Sequence, residues 1–156
     1  MKITLYVTGK TRNEYLVKGV DDYRKRVEKY YPFYYQEIPD VKTTRAMNEE
    51  AVREAEADSI LKRLAPADYL ILLDEKGKTF RSVNFAQYLQ QLEGRTRHLV
   101  FLVGGPYGFS ERIHMRAGEK LSLSQMTFPH QLVRLIFLEQ LYRACTINRN
   151  EPYHHE

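Results

Sequence analysis

Apolar and polar positions alternate with a strand-like period from Ile3 to Thr8, and Gly9-Lys10 breaks the run. Thr11-Arg12-Asn13-Glu14 has the spacing of a capping box. Apolar residues then recur three or four apart (Tyr15, Leu16, Val20, Tyr23, Val27, Tyr30), which predicts a helix to about Tyr30, ended by Pro32. Phe33 to Ile38 reads as a second strand. Asn48 is placed to cap a charged helix, Glu49 to Leu64, whose apolar stripe is thin. Tyr69 to Leu73 is a continuous apolar strand, and Asp74-Glu75-Lys76-Gly77-Lys78 reads as its stop. Ser82 caps a helix through Leu92, and Gly94 ends it.

The most informative stretch follows. Leu99-Val100-Phe101-Leu102-Val103 has the unbroken apolar character of a strand buried on both faces. It ends at Gly104-Gly105-Pro106-Tyr107-Gly108, where glycine permits a sharp turn or the close approach of a ligand. Ser110 caps a short helix with Glu111 in its first turn. Lys120 to Ser124 is a further strand, leading through the uncharged loop Gln125-Met126-Thr127-Phe128-Pro129 into a helix from His130 to about Ile147. The order β-α-β-α-β-α-β-α-β-α specifies an α/β fold, a mostly parallel sheet flanked by helices. Ligands in such sheets bind outside the carboxyl ends of the strands, so the two loops are expected to wall one pocket.

The last helix departs from the usual amphipathic pattern. Its apolar residues, Leu132 to Cys145, cover nearly the whole circumference, so a second subunit is expected on the side the sheet leaves open. Glu139, Arg143 and Thr146 form its polar stripe. Arg134 lies among Leu138, Leu141 and Cys145, where a guanidinium needs a partner; an acidic group or ligand at a dimer interface is the expected one.

Composition narrows the classes. The 156 residues suit one domain, and the net charge of +4 permits an anionic partner without requiring one. No apolar run reaches the roughly 20 residues of a membrane span. MKITLYVTGK reads as a strand, not a signal peptide, and the single cysteine, Cys145, has no internal partner, which together favour the cytoplasm. No histidine or cysteine spacing suggests a metal, and Cys145 on a packed face reads as inert. Gly104-Gly105-x-x-Gly108 is not the dinucleotide fingerprint, and no ribose-binding acid follows the first strand and helix at the required distance. By spacing alone it fits a tight strand-to-helix turn better than a ligand loop. Gln125 to Pro129 is more specific. Pro129 keeps Phe128 extended, exposing backbone amides and carbonyls beside Leu123, Met126 and Phe128, which suits a flat hydrogen-bonding ring such as adenine. His130, at a helix start, favours the neutral imidazole.

Three segments carry a resemblance: LVGGPYGFS, LSLSQMTFPHQLVRLIFLEQLYRACTI and the ending EPYHHE. Together with the MKI start and LLDEKGK, they resemble the ribosomal large subunit methyltransferase H family of the SPOUT class across the whole chain. The resemblance implies a C-terminal trefoil knot holding S-adenosylmethionine, with no metal. Its cofactor positions fall on Leu73, Gly104, Leu123, Ser124, Gln125, Met126, Thr127 and Phe128. It implies a homodimer whose C-terminal tail completes the active site, giving Tyr153, His154 and Arg143 catalytic roles. The implied reaction is methylation of N3 of pseudouridine 1915 in helix 69 of 23S rRNA, on assembled ribosomes. The alternative is an RNA- or ribosome-binding module without chemistry. Arg24-Lys25-Arg26, Arg95, Arg97 and Arg149 are the candidate phosphate contacts. His155 stands where relatives often carry Lys or Arg, so a charge there would fade as pH rises through the histidine range.

Overall fold

A computed structural model describes all 156 residues. Five strands and five helices alternate along it: β1 (Lys2–Thr8), α1 (Glu14–Val27), β2 (Phe33–Ile38), α2 (Glu49–Leu61), β3 (Tyr69–Thr79), α3 (Ser82–Glu93), β4 (His98–Val103), α4 (Glu111–Arg116), β5 (Glu119–Ser122) and α5 (His130–Asn148). The strands form one sheet in the order β2-β1-β4-β3-β5, and every pair is parallel. The apolar run of β4 is central: Leu99 to Val103 are all buried. Alternation divides its side chains. Leu99, Phe101 and Val103 face a layer of α1, α3 and α5, while Val100 and Leu102 face α2 and α4.

Several local expectations change with the tertiary contacts. Ser110 and Asn48 do cap their helices, accepting from the N–H groups of Ile113 (3.4 Å) and Ala51 (2.8 Å). Thr11 does not. Its side chain is buried, pairs with the Tyr35 hydroxyl and accepts from Arg134, so the N-cap position falls to Asn13, a positive-φ residue (61°) with no side-chain capping bond, and α1 starts at Glu14. Ser82 likewise lies inside α3 rather than ahead of it, and its hydroxyl donates to Gln140 Oε1 at 2.8 Å.

The expected stop at Asp74 to Lys78 is a bulge instead. β3 leaves register after Leu73, rejoins β5 at Lys78 opposite Leu121, and continues to Thr79. Gly77 makes this possible: a Cβ there would lie 2.6 Å from the Leu121 nitrogen and the Lys120 carbonyl carbon. Backbone cannot yield as a side chain can. Gly77→Ala is expected to cost about 1–3 kcal/mol, as overpacking does elsewhere, and urea unfolding of the two proteins measures it.

α5 packs between α1 and α3, so helices of its own chain cover both flanks that its apolar circumference presents. Arg134 needs no second subunit. It is fully buried within the chain, donating to the carbonyls of Thr8 (2.6 Å) and Gly9 (2.8 Å) and to the Thr11 hydroxyl (2.9 Å), with Glu37 at 3.9 Å. Thr146 is also fully buried, leaving Glu139 and Arg143 as the polar stripe. The outward face of the first half of α5 presents Leu132 and Ile136, each half-buried.

Candidate active site

The ends of β3, β4 and β5 open into one cavity of about 910 Å³. Seven of the eight expected cofactor positions line it: Leu73 from β3, Gly104 from β4, and Leu123, Ser124, Met126, Thr127 and Phe128 from the loop after β5. Gln125 falls outside the lining. The loop is held from within, since Ser122 donates to the Ser124 carbonyl (2.7 Å) and Ser124 Oγ accepts from the Met126 N–H (2.9 Å). Thr127 ties it to the β3 bulge through Glu75 at 3.1 Å. Met126 remains 74% exposed, an apolar side chain left open on the cavity wall. Gly104 is required by close approach: a Cβ there would meet the Phe109 ring at 2.8 Å.

His130 and Val133, at the start of α5, complete the rim. Burial lowers the His130 pKa first, and the Arg134 guanidinium lowers it further; Arg12 acts in the same sense and Asp40 against it. The neutral ring is therefore the folded form. Because the unfolded chain binds the proton more readily, His130 stabilises the fold least below about pH 6.5, and stability falls as pH drops through that range. His130→Gln is expected to flatten this part of the stability–pH curve in urea titrations at pH 5 to 7.5.

The tail residues form a separate cluster. Arg143 binds Glu139 Oε1 (2.5 Å) through Nη2 and donates from Nη1 to His154 Nδ1 (3.2 Å). Tyr153 donates to Glu139 Oε1 (3.1 Å), lies 3.3 Å from the Tyr23 hydroxyl and packs edge-on against Tyr142. Burial, chiefly, with Tyr23 and Glu139 adding to it, pushes the Tyr153 pKa up, so the phenol keeps its proton. The Glu139 bond holds Arg143 firmly cationic. Arginine only donates, so His154 Nδ1 must accept, and the neutral ring carries its hydrogen on Nε2. Nε2 has no hydrogen-bond partner. Nε2 is itself buried, with the Glu156 carboxylate 3.7 Å away, so the cluster holds one unpaired N–H beside a fixed cation.

Arg143 lies thirteen residues along α5 from His130, about 20 Å at helical rise, so one chain does not bring the two clusters together. The phosphate candidates on α1 are neutralised locally: Arg24 and Lys25 pair with Asp21, and Arg26 with Asp22. Cys145 is buried, and burial pushes its thiol up to about 12, so it is no nucleophile.

A family model described as "Predicted SPOUT methyltransferase" matches residues 1–154. The chain belongs to the SPOUT methyltransferase family. Relatives named "Ribosomal RNA large subunit methyltransferase H" from Parabacteroides distasonis and Flavobacterium johnsoniae are 53% and 52% identical to it over 157 residues, each alignment covering both chains fully. One from Cytophaga hutchinsonii is 49% identical over 99% of this chain and all of its own. For a SPOUT enzyme the all-parallel sheet and the cavity at its carboxyl edge are the positioning frame. Sequence reasoning missed Glu139 as a site residue; its position four residues before Arg143 on one helix face was the available signal.

Proposed function

We propose that the chain is a single-domain S-adenosylmethionine-dependent methyltransferase. Its target is N3 of pseudouridine 1915 in helix 69 of 23S rRNA, in assembled ribosomes of the cytoplasm. Full-length identity near one half with relatives of that name carries the reading. The trefoil knot expected of the family belongs to it. The cavity residues fit the methyl donor: apolar walls from Leu73, Leu123, Met126 and Phe128, loop backbone for the adenine edge, and a bare backbone at Gly104. Bound there, S-adenosylmethionine supplies a methyl group made electrophilic by its sulfonium. The chain's own task is to hold the base in line and stabilise it as N3 loses its proton.

Negative charge then spreads onto the ring carbonyls. The unpaired N–H of His154 and the Arg143 cation are donors of the kind that stabilise it. His154 serves as a donor, not a base, because its accepting nitrogen is occupied by Arg143; the N3 proton passes to solvent. Joining donor site and tail takes two copies. Leu132 and Ile136, on the open face of α5 beside the cavity rim, are the surface on which a homodimer would close. One protomer's tail then reaches the other's cavity.

Tritium transfer from labelled S-adenosylmethionine to intact ribosomes, free large subunits and naked rRNA tests the reading, with the labelled nucleotide mapped. Label at pseudouridine 1915 in ribosomes is expected. A chain that binds the methyl donor in calorimetry but labels no rRNA overturns the substrate. One that gives no binding heat leaves the non-catalytic ribosome-binding module.

A further inference from the structure

A second depression, about 590 Å³, runs along the open face of α3, away from the cavity at the strand ends. Of the eight residues lining it, Lys78 and Arg81 are cationic and none is acidic. The solvent faces of α1 and α2 carry ion pairs such as Lys18–Glu14 and Arg53–Glu49. The groove face of α3 instead carries amides: Asn84, Gln87 and Gln91, all exposed. Amides offer donors and acceptors to sugars and base edges without repelling phosphate.

Aromatic surface lies between them. Phe80 stacks on Tyr88 with centroids 5.1 Å apart and planes at 23°, and Lys78 Nζ stands 4.8 Å from the Phe80 centroid. Arg81 is 78% exposed, and its carboxylate partner, at 3.2 Å, is Glu156, 53% exposed. At the far end Tyr88 donates to Glu119 (2.6 Å), which lies 3.9 Å from Arg95. Two cations at the start of a helix about 18 Å long, an ion-paired Arg95 beyond its end, and amides and an aromatic pair between them match a short single strand of nucleic acid.

The groove also meets the tail. Arg81 to Glu156, and Ser82 to Gln140 one residue after Glu139, place its mouth beside the segment that carries Tyr153 and His154. We infer that this groove is the track for the single-stranded RNA next to the methylated base. Lys78 and Arg81 contact its phosphates, and Phe80, backed by the buried Tyr88, receives an unpaired base. The inference rests on the rRNA reading above and adds where the substrate lies.

Co-sedimentation of the full-length protein with intact ribosomes, and filter binding to a helix 69 stem–loop transcript, test it directly. Lys78→Ala/Arg81→Ala is expected to weaken binding about tenfold near 0.1 M salt. It also makes the dependence of log affinity on log salt shallower by about 1.4, the contribution of two single-strand phosphate contacts. Phe80→Leu is expected to weaken binding a few-fold without changing that slope, as lost stacking does. Both cations are exposed, so the melting temperature should hold. Affinity within twofold of wild type, with an unchanged slope, overturns the groove, as does a wild-type protein that binds neither RNA. Methyl transfer is followed in parallel: absent transfer with intact, groove-dependent binding overturns the enzymatic reading and leaves the groove standing.

Discussion

Arg134→Met is expected to destabilise the protein by about 3–5 kcal/mol, a large share of the 5–15 kcal/mol typical of a domain. The methionine keeps the volume and apolar stem but donates nothing. The carbonyls of Thr8 and Gly9 lose their donor, and the Thr11 hydroxyl loses its guanidinium partner, in a region with no solvent access. Each orphaned acceptor costs on the order of 1–3 kcal/mol, while Glu37, 37% exposed, can turn to water instead. For a chain of this length the midpoint of thermal unfolding should fall by roughly 10 °C or more. Arg24→Met, on the ion-paired surface of α1, is the control and should change stability by no more than about 0.5 kcal/mol. A loss under about 1 kcal/mol for Arg134→Met would mean that water re-satisfies those acceptors. The same bonds tie the loop after β1 to the start of α5 beside the His130 rim, so loosening them should also weaken binding of the methyl donor.

His154→Ala is expected to lower kcat for methyl transfer by about 10²- to 10³-fold, the usual consequence of removing one donor from a developing anion. Binding of S-adenosylmethionine should be unchanged, since His154 is not among the residues that line the cavity at the strand ends. His154→Gln separates donor from base. Its amide can place an N–H near the position of Nε2 but cannot accept a proton at pH 7, so substantial recovery over alanine marks a donor. Equal loss in both variants would return the proton-accepting role to the imidazole. The trans arrangement has its own signature. Mixed with a Gly104→Leu variant, in which a side chain fills the approach beside Phe109, His154→Ala should regain about a quarter of wild-type activity. Half of randomly formed dimers would be mixed, each with one intact site. No recovery on mixing would place donor site and tail in one chain.

How much of this was legible in the chain depended on distance along it. The central β4 run, the two side-chain caps at Asn48 and Ser110, and the loops that wall the cavity were readable, because each is set by neighbours within a few residues. The capping box at Thr11 failed because a residue far along the chain, Arg134, claimed the hydroxyl that the local pattern had assigned to α1. Asp74 to Lys78 carries the polar and glycine residues of a turn. It is a bulged strand because β5, distant in sequence, supplies the hydrogen bonds and Gly77 lets its backbone approach. The basic run on α1 was only a candidate phosphate patch, and the carboxylates at i−3 and i−4 pair with it instead.

By itself, then, the sequence determined the alternation of strands and helices, the all-apolar centre of the sheet and the likeness to a methyltransferase family, since hydrophobic period and short motifs are local properties. Only the tertiary structure decided the strand order, the burial of Arg134 inside one chain, the tautomer that Arg143 imposes on His154, and the distance between the strand-end cavity and the tail. Those depend on which distant groups meet, and a buried polar group takes whichever partner the packing brings within hydrogen-bonding reach.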